Sequence, residues 1–132
     1  MEKLEHIGIA VKSIKNAEVL FDALLGRAAY KVEEVESEGV RTSFYNLSGV
    51  KFELLEATRP DSPIAKFIEK KGEGIHDIAF EVSDIRKSPT EYVSKGFELI
   101  NKEPKDGADN KSIAFLHPKS TNGVLIELCQ EK

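Results

Sequence analysis

A single cysteine, Cys129, stands among 132 residues, so no intrachain disulfide braces the chain and a reducing compartment suits it. Its place beside an apolar strand run marks a buried structural thiol rather than a nucleophile. Positive charge is not in excess: nineteen Lys and Arg against twenty-three Asp and Glu leave a net charge of −4. That balance argues against a nucleic-acid partner, whose phosphates require a basic face. No apolar run approaches the ~20 residues needed to cross a bilayer. The opening residues Met1–His6 (MEKLEH) lack the apolar core of an export signal, and a cytoplasmic protein is expected. Low-complexity stretches and long linkers are missing as well. What remains is an ordinary soluble composition, 40% hydrophobic and 32% charged, expected to form a single domain over residues 1–132 with a real core.

The chain does contain a repeat. His6–Ile14 (HIGIAVKSI) aligns with Asp77–Ile85 (DIAFEVSDI) at an offset of 71 residues. Later in each half, Gly49–Leu54 (GVKFEL) aligns with Gly123–Leu128 (GVLIEL) at an offset of 74. Two matches in the same order with nearly equal offsets point to duplication.

Each half reads as strand, helix and three strands. Ile7, Ile9 and Val11 alternate as on a half-buried strand. Ser13 is placed to cap a helix whose apolar positions Ile14, Ala17, Leu20, Phe21, Leu24 and Leu25 recur at helical spacing, with Gly26 as its stop. Strands are expected near Tyr30–Glu36, Val40–Leu47 and Lys51–Glu56, and in the second half near Ile75–Val82, Phe97–Lys102, Lys111–Leu116 and Val124–Cys129. Ser88-Pro89-Thr90-Glu91 reads as an N-cap, a first-position proline and a capping-box glutamate opening a short helix. Asp61-Ser62-Pro63 opens a connector helix that ends at Gly72. The expected organisation is module one over about 1–58, the connector over about 61–72 and module two over about 74–132.

Duplication sets equivalent polar residues around a pseudo-twofold axis: His6 with Asp77, and Glu53 with Glu127. All four interrupt apolar strand runs, where an isolated ionisable group is costly unless paired or bound to a metal. Strand glutamates that face water would show the same alternation, and a lone histidine is often a hydrogen-bonded surface residue. His76, next to Asp77, alternates to the opposite face and reads as structural. His117 precedes a turn as either a cap or a ligand contact.

His6–Val11, Glu53–Glu56 (ELLE), Gly72–Phe80 (GEGIHDIAF) and Phe115–Leu128 (FLHPKSTNGVLIEL) resemble the motifs of bacterial methylmalonyl-CoA epimerases. The first motif is shared with the wider vicinal-oxygen-chelate superfamily, which includes glyoxalases and bleomycin-resistance proteins; the last two are more particular to the epimerases. The resemblance runs from Leu4 to Cys129. It implies an α+β fold of two βαβββ modules forming a cupped mixed sheet around one divalent ion (Co²⁺, Mn²⁺, Zn²⁺ or Mg²⁺). It also implies metal ligands at His6, Glu53, Asp77 and Glu127, the positions selected by the repeat. A homodimer and a small acyl-CoA substrate belong to the same expectation.

Two residues depart from the family pattern. The epimerases usually carry a second histidine as ligand where this chain has Asp77. One imidazole and three carboxylates carry −3 against −2 for the usual set, and this harder donor set shifts preference toward Mn²⁺ or Mg²⁺. Some epimerases also carry a catalytic glutamate two places after the Gly-Val of the third strand. Here Gly39-Val40-Arg41-Thr42 puts a threonine there, a poor base at neutral pH. Glu127 is then the catalytic base candidate, removing the C2 proton of an acyl-CoA whose thioester oxygen is polarised by the metal. Lys102, Lys105, Lys111 and Lys119 offer charge for the CoA phosphates, although solvated surface lysines would look the same. A lactoylglutathione lyase and a metal-free small-molecule binding protein are the alternatives.

Overall fold

Period-2 apolar patterns, interrupted by capped helices, build the elements of the computed structural model, which describes residues 1–132. In chain order they are β1 (Lys3–Ala10), α1 (Ile14–Leu25), β2 (Lys31–Val35), β3 (Val40–Leu47), β4 (Val50–Ala57), α2 (Pro63–Lys71), β5 (Gly74–Glu81), α3 (Ser88–Ser94), β6 (Lys105–Gly107), β7 (Lys111–Leu116) and β8 (Ile126–Glu131). The fold is α+β. Two compact bodies form, Ile7–His76 and Met1–His6 together with Asp77–Lys132. No helix is long and apolar enough to cross a membrane.

In the Ile7–His76 body, β2, β3 and β4 pair antiparallel, with Phe44 opposite Glu53 and Thr42 opposite Leu55. The strand order is β1-β4-β3-β2, and Val11 N donates to Leu55 O at 2.9 Å. Helix α1 starts where Ser13 accepts a hydrogen bond from Asn16 N and stops at Gly26, which adopts a left-handed φ of 68°. Such a cap contributes about 1 kcal/mol. The helix buries Ile14 against Val11, Tyr45 and Leu54, with Ala17, Phe21 and Leu25 packed around them. Leu20 and Leu24, which share the helical spacing, stand exposed; the stripe touching the strands is narrower than the apolar pattern. Connector helix α2 is capped by Ser62 and carries Pro63 in its first turn. Its Ile64 packs with Ala10 and Leu55.

The second body has the matching order β5-β8-β7-β6. Strand β5 runs parallel to β8, which pairs antiparallel with β7, and β7 with β6. Val82, Ile85, Ala114, Leu116 and Leu128 make a core with Tyr92 of α3.

Three expectations about this half need correction. Residues 97–102 form no strand; only Leu99 bridges to Leu116. Pro104 has no N–H to give a ladder, and pairing resumes at β6. There Gly107 approaches Ile113 so closely that a Cβ would lie 2.8 Å from its side chain. Ser88 is not the helix cap, because Lys87 holds that place without a side-chain bond. Asp84 Oδ1 accepts from Arg86 N and Asp84 O from Ser88 N, and that turn draws Ser88 into the helix. The last strand begins at Ile126, since Val124 N is taken by Thr121 O in the preceding turn.

Candidate functional site

The parallel pairing of β5 and β8 sets Ala79 opposite Glu127. Side chains two apart share a face, so Asp77 and Glu127 lie on the same side. That side is opposite α3: the intervening Ile126 and Leu128 pack into the core beneath Tyr92, whereas Ala79, Ile113 and Cys129 cluster on the other face. The first residues of β1 add His6 to the same body. Asp77, His6 and Glu127 are 4%, 6% and 7% exposed.

His6 Nε2 lies 3.4 Å from Asp77 Oδ2 and 3.6 Å from Glu127 Oε2, and the three residues can each offer a donor atom within 4.8 Å of the others. These separations are long for hydrogen bonds. They suit atoms that share an ion, because donors each about 2.1 Å from one ion sit roughly 3.0–3.4 Å apart at octahedral or tetrahedral angles. One imidazole with hard carboxylate oxygens is a donor set for a divalent cation. The residues present therefore fit the group.

Behind His6 lies a second carboxylate. Glu5 Oε1 is 2.7 Å from His6 Nδ1, and Glu5 Oε2 is 3.9 Å from Lys111 Nζ. Lys111 also faces Asp109 at 3.8 Å and Glu131 at 3.5 Å. Three buried carboxylates of this body thus surround His6, with the Lys111 ammonium beside Glu5. Burial raises the Glu127 pKa above the ordinary carboxylate value, the nearby His6 ring pulls it down, and Asp77 and Glu5 push it up again. Burial also pushes the Cys129 thiol up to about 12, which leaves it unreactive.

Glu53 sits on β4 of the Ile7–His76 body and is buried. Its neighbours Phe52 and Leu54 pack with Ile14 and Phe21 of α1, so Glu53 faces away from its own module's helix, as Glu127 does from α3. Thr42 is buried on the same face of β3, diagonal to Glu53 across the Thr42–Leu55 and Phe44–Glu53 pairs. His76 turns the other way, its ring 5.0 Å from that of Phe67 in an edge-to-face contact. His117 is a cap: its Nδ1 accepts from Lys119 N at 3.0 Å at the start of a 3-10 turn over Pro118–Ser120.

Sequence reasoning passed over Glu5 and misread Lys111. Strict alternation sends Glu5 away from His6, yet both are buried on β1; an acidic residue directly before a candidate ligand histidine was the available signal. Lys111, grouped by sequence with the surface lysines, is buried among acidic partners and has no phosphate to meet there.

The chain matches the model of the Glyoxalase/Bleomycin resistance protein/Dioxygenase superfamily over residues 5–115. It is 43% identical to the uncharacterised protein YqjC of Bacillus subtilis over 132 residues, covering 100% of this chain and 94% of that one. With the human mitochondrial methylmalonyl-CoA epimerase it shares 37% identity over 129 residues, covering 97% of this chain and 73% of the human one. It superposes on the Streptomyces coelicolor methylmalonyl-CoA epimerase in complex with 2-nitronate-propionyl-CoA with a TM-score of 0.92 at 34% identity, over 99% of this chain and 95% of that chain. Likeness along the whole length, joined to a duplicated strand unit that buries a histidine among carboxylates, places the chain in the methylmalonyl-CoA epimerase family of that superfamily, a family of isomerases.

Proposed function

We propose that this protein epimerises methylmalonyl-CoA at C2 in a divalent-metal-dependent reaction. The observation that carries the proposal is the meeting of His6 Nε2, Asp77 Oδ2 and Glu127 Oε2 in one buried cluster, in a chain that matches epimerases end to end. His6, Asp77 and Glu127 are the proposed ligands. Glu53 is proposed as the fourth, because the repeat gives it the place in its module that Glu127 has in the other. A divalent ion held there supplies Lewis acidity toward the thioester oxygen of the substrate.

The chain's own residues do the rest. The C2 proton lies between a thioester and a carboxylate, so the charge left on its removal spreads onto oxygen. Glu127 is the proposed base on one face of C2, taking the proton onto a carboxylate oxygen from one epimer and delivering it when the other epimer reacts. His6 presents Nε2 to both carboxylates, 3.4 Å from Asp77 Oδ2 and 3.6 Å from Glu127 Oε2. The low exposure of all three excludes bulk water from the proton in transit. Thr42 cannot take a proton at neutral pH, so the opposite face of C2 is left to a water molecule or another group.

The lyase and metal-free binding alternatives gain nothing from the relatives found, whose named members are epimerases. A homodimer, on the resemblance, and a cytoplasmic setting, on the sequence, complete the proposal. The test is to purify the protein without chelator, measure its metal content, and assay methylmalonyl-CoA beside the glutathione thiohemiacetal of methylglyoxal. Epimerisation that disappears on chelation and returns with Mn²⁺ or Co²⁺ is expected. Turnover of the glutathione adduct alone would overturn the proposal.

A further inference from the structure

Glu5 and Lys111 take no part in the mechanism above, yet both are buried, at 3% and 5% exposure. A carboxylate and an ammonium are expensive to bury unless each has work for the other. Glu5 Oε1 is 2.7 Å from His6 Nδ1, within the range of a charge-assisted hydrogen bond. A carboxylate only accepts, so the proton between them belongs to Nδ1. The other ring nitrogen, Nε2, is the atom turned toward Asp77 and Glu127.

We propose that Glu5 is a positioning residue: by accepting the Nδ1 proton of His6 it fixes the ring and presents Nε2 to a divalent cation. The inference rests on the metal-centre reading. An imidazole that binds a metal through one nitrogen gives its other N–H to an acceptor, which fixes the tautomer and raises the basicity of the ligating atom. Glu5 does this from the preceding position of the same strand, so ring and partner move together with β1. Lys111 holds the far oxygen of Glu5 at 3.9 Å while facing Asp109 and Glu131. Its charge offsets the extra carboxylate that Glu5 adds beside Asp77 and Glu127. Glu5 touches no reacting atom in this assignment. Its effect reaches the substrate only through His6.

The experiment compares wild-type protein with Glu5→Ala and Glu5→Gln. Titration with Mn²⁺ and with Co²⁺ gives affinities, and ¹H–¹⁵N spectra of the metal-free proteins follow the His6 Nδ1 proton. In wild type that proton should be resolved and protected from solvent exchange. Glu5→Ala should lose the resonance and bind both ions roughly 10–100-fold more weakly, the usual effect of removing such a partner. Glu5→Gln keeps an acceptor oxygen, so it should retain the resonance and recover part of the affinity; a merely structural role gives no reason for that rescue. Glu5→Ala that binds both ions like wild type, or that keeps the protected Nδ1 proton, would overturn the assignment while leaving the metal centre standing. Wild-type protein that takes up neither ion would overturn the metal centre, and this role with it.

Discussion

Replacing Glu127 by Gln should make the metal-free protein more stable and the metal-loaded protein less so. The sign follows from counting charges. Glu5, Asp77 and Glu127 all lie against His6, and Lys111 is the cation beside Glu5. Removing one carboxylate does not orphan the imidazole, which keeps Glu5 at 2.7 Å and Asp77 at 3.4 Å. It does remove a buried carboxyl group whose pKa is raised, chiefly by burial. A carboxyl group whose folded pKa lies above its unfolded one favours the fold below the unfolded value and loses that contribution as pH rises through the folded value. As pH rises through the folded value the wild type loses that contribution, and the neutral amide does not. The effect is expected to be on the order of 1–2 kcal/mol, the usual size for a single substitution. For a chain of this size that is roughly 3–8 °C in Tm. With Mn²⁺ at 100 times its Kd, the wild type gains about 2.7 kcal/mol, while the variant, short of a ligand, should gain little. Thermal unfolding of both proteins at pH 7.5, with chelator and with Mn²⁺, reads all four values. The gap between the metal-free proteins should close toward acid pH. A variant less stable than wild type under chelator, or one that responds to Mn²⁺ as wild type does, would refute the reasoning.

Asp77→His should rebuild the donor set usual in the family and raise affinity for Co²⁺ or Zn²⁺ relative to Mn²⁺, because imidazole suits those borderline ions. Unchanged ratios in paired titrations would mean that Asp77 is no ligand. His76→Leu, which alters the contact with Phe67, should leave metal affinity within a factor of two of wild type; a large loss would place the ligand register one residue earlier. Ser13→Ala removes the cap bond to Asn16 N and should cost about 1 kcal/mol, read as a lower Tm with no change in metal affinity.

The repeat made much of this legible in advance. Matching His6 to Asp77 and Glu53 to Glu127 selects buried strand residues, since alternation and an internal offset are written in residue order. Ser13, Gly26 and Ser62 bounded their helices because capping is local chemistry. The failures lie where tertiary contacts decide. Residues 97–102 have strand composition but gain only one bridge to β7, and Ser88 lost its cap role to a turn begun by Asp84. Glu5 was invisible for a related reason. Ideal alternation is a rule for flat strands, and β1 buries two consecutive charged residues at the point where the second reaches Asp77 and Glu127. Lys111 looked like any surface lysine, because only pairing across strands reveals that its neighbours are acidic.

The central claim is that Glu127 moves the C2 proton at a divalent metal centre, and the most direct measurement is solvent exchange at that carbon. One epimer of methylmalonyl-CoA, incubated in D₂O with Mn²⁺-loaded wild-type protein, should acquire deuterium at C2 as the second epimer appears, and neither should happen under chelator. Glu127→Gln, with metal occupancy confirmed, should leave the proton in place on the epimer whose C2 hydrogen faces Glu127. Deuterium entering at the wild-type rate in the metal-loaded variant, or in the chelated wild type, would contradict the account.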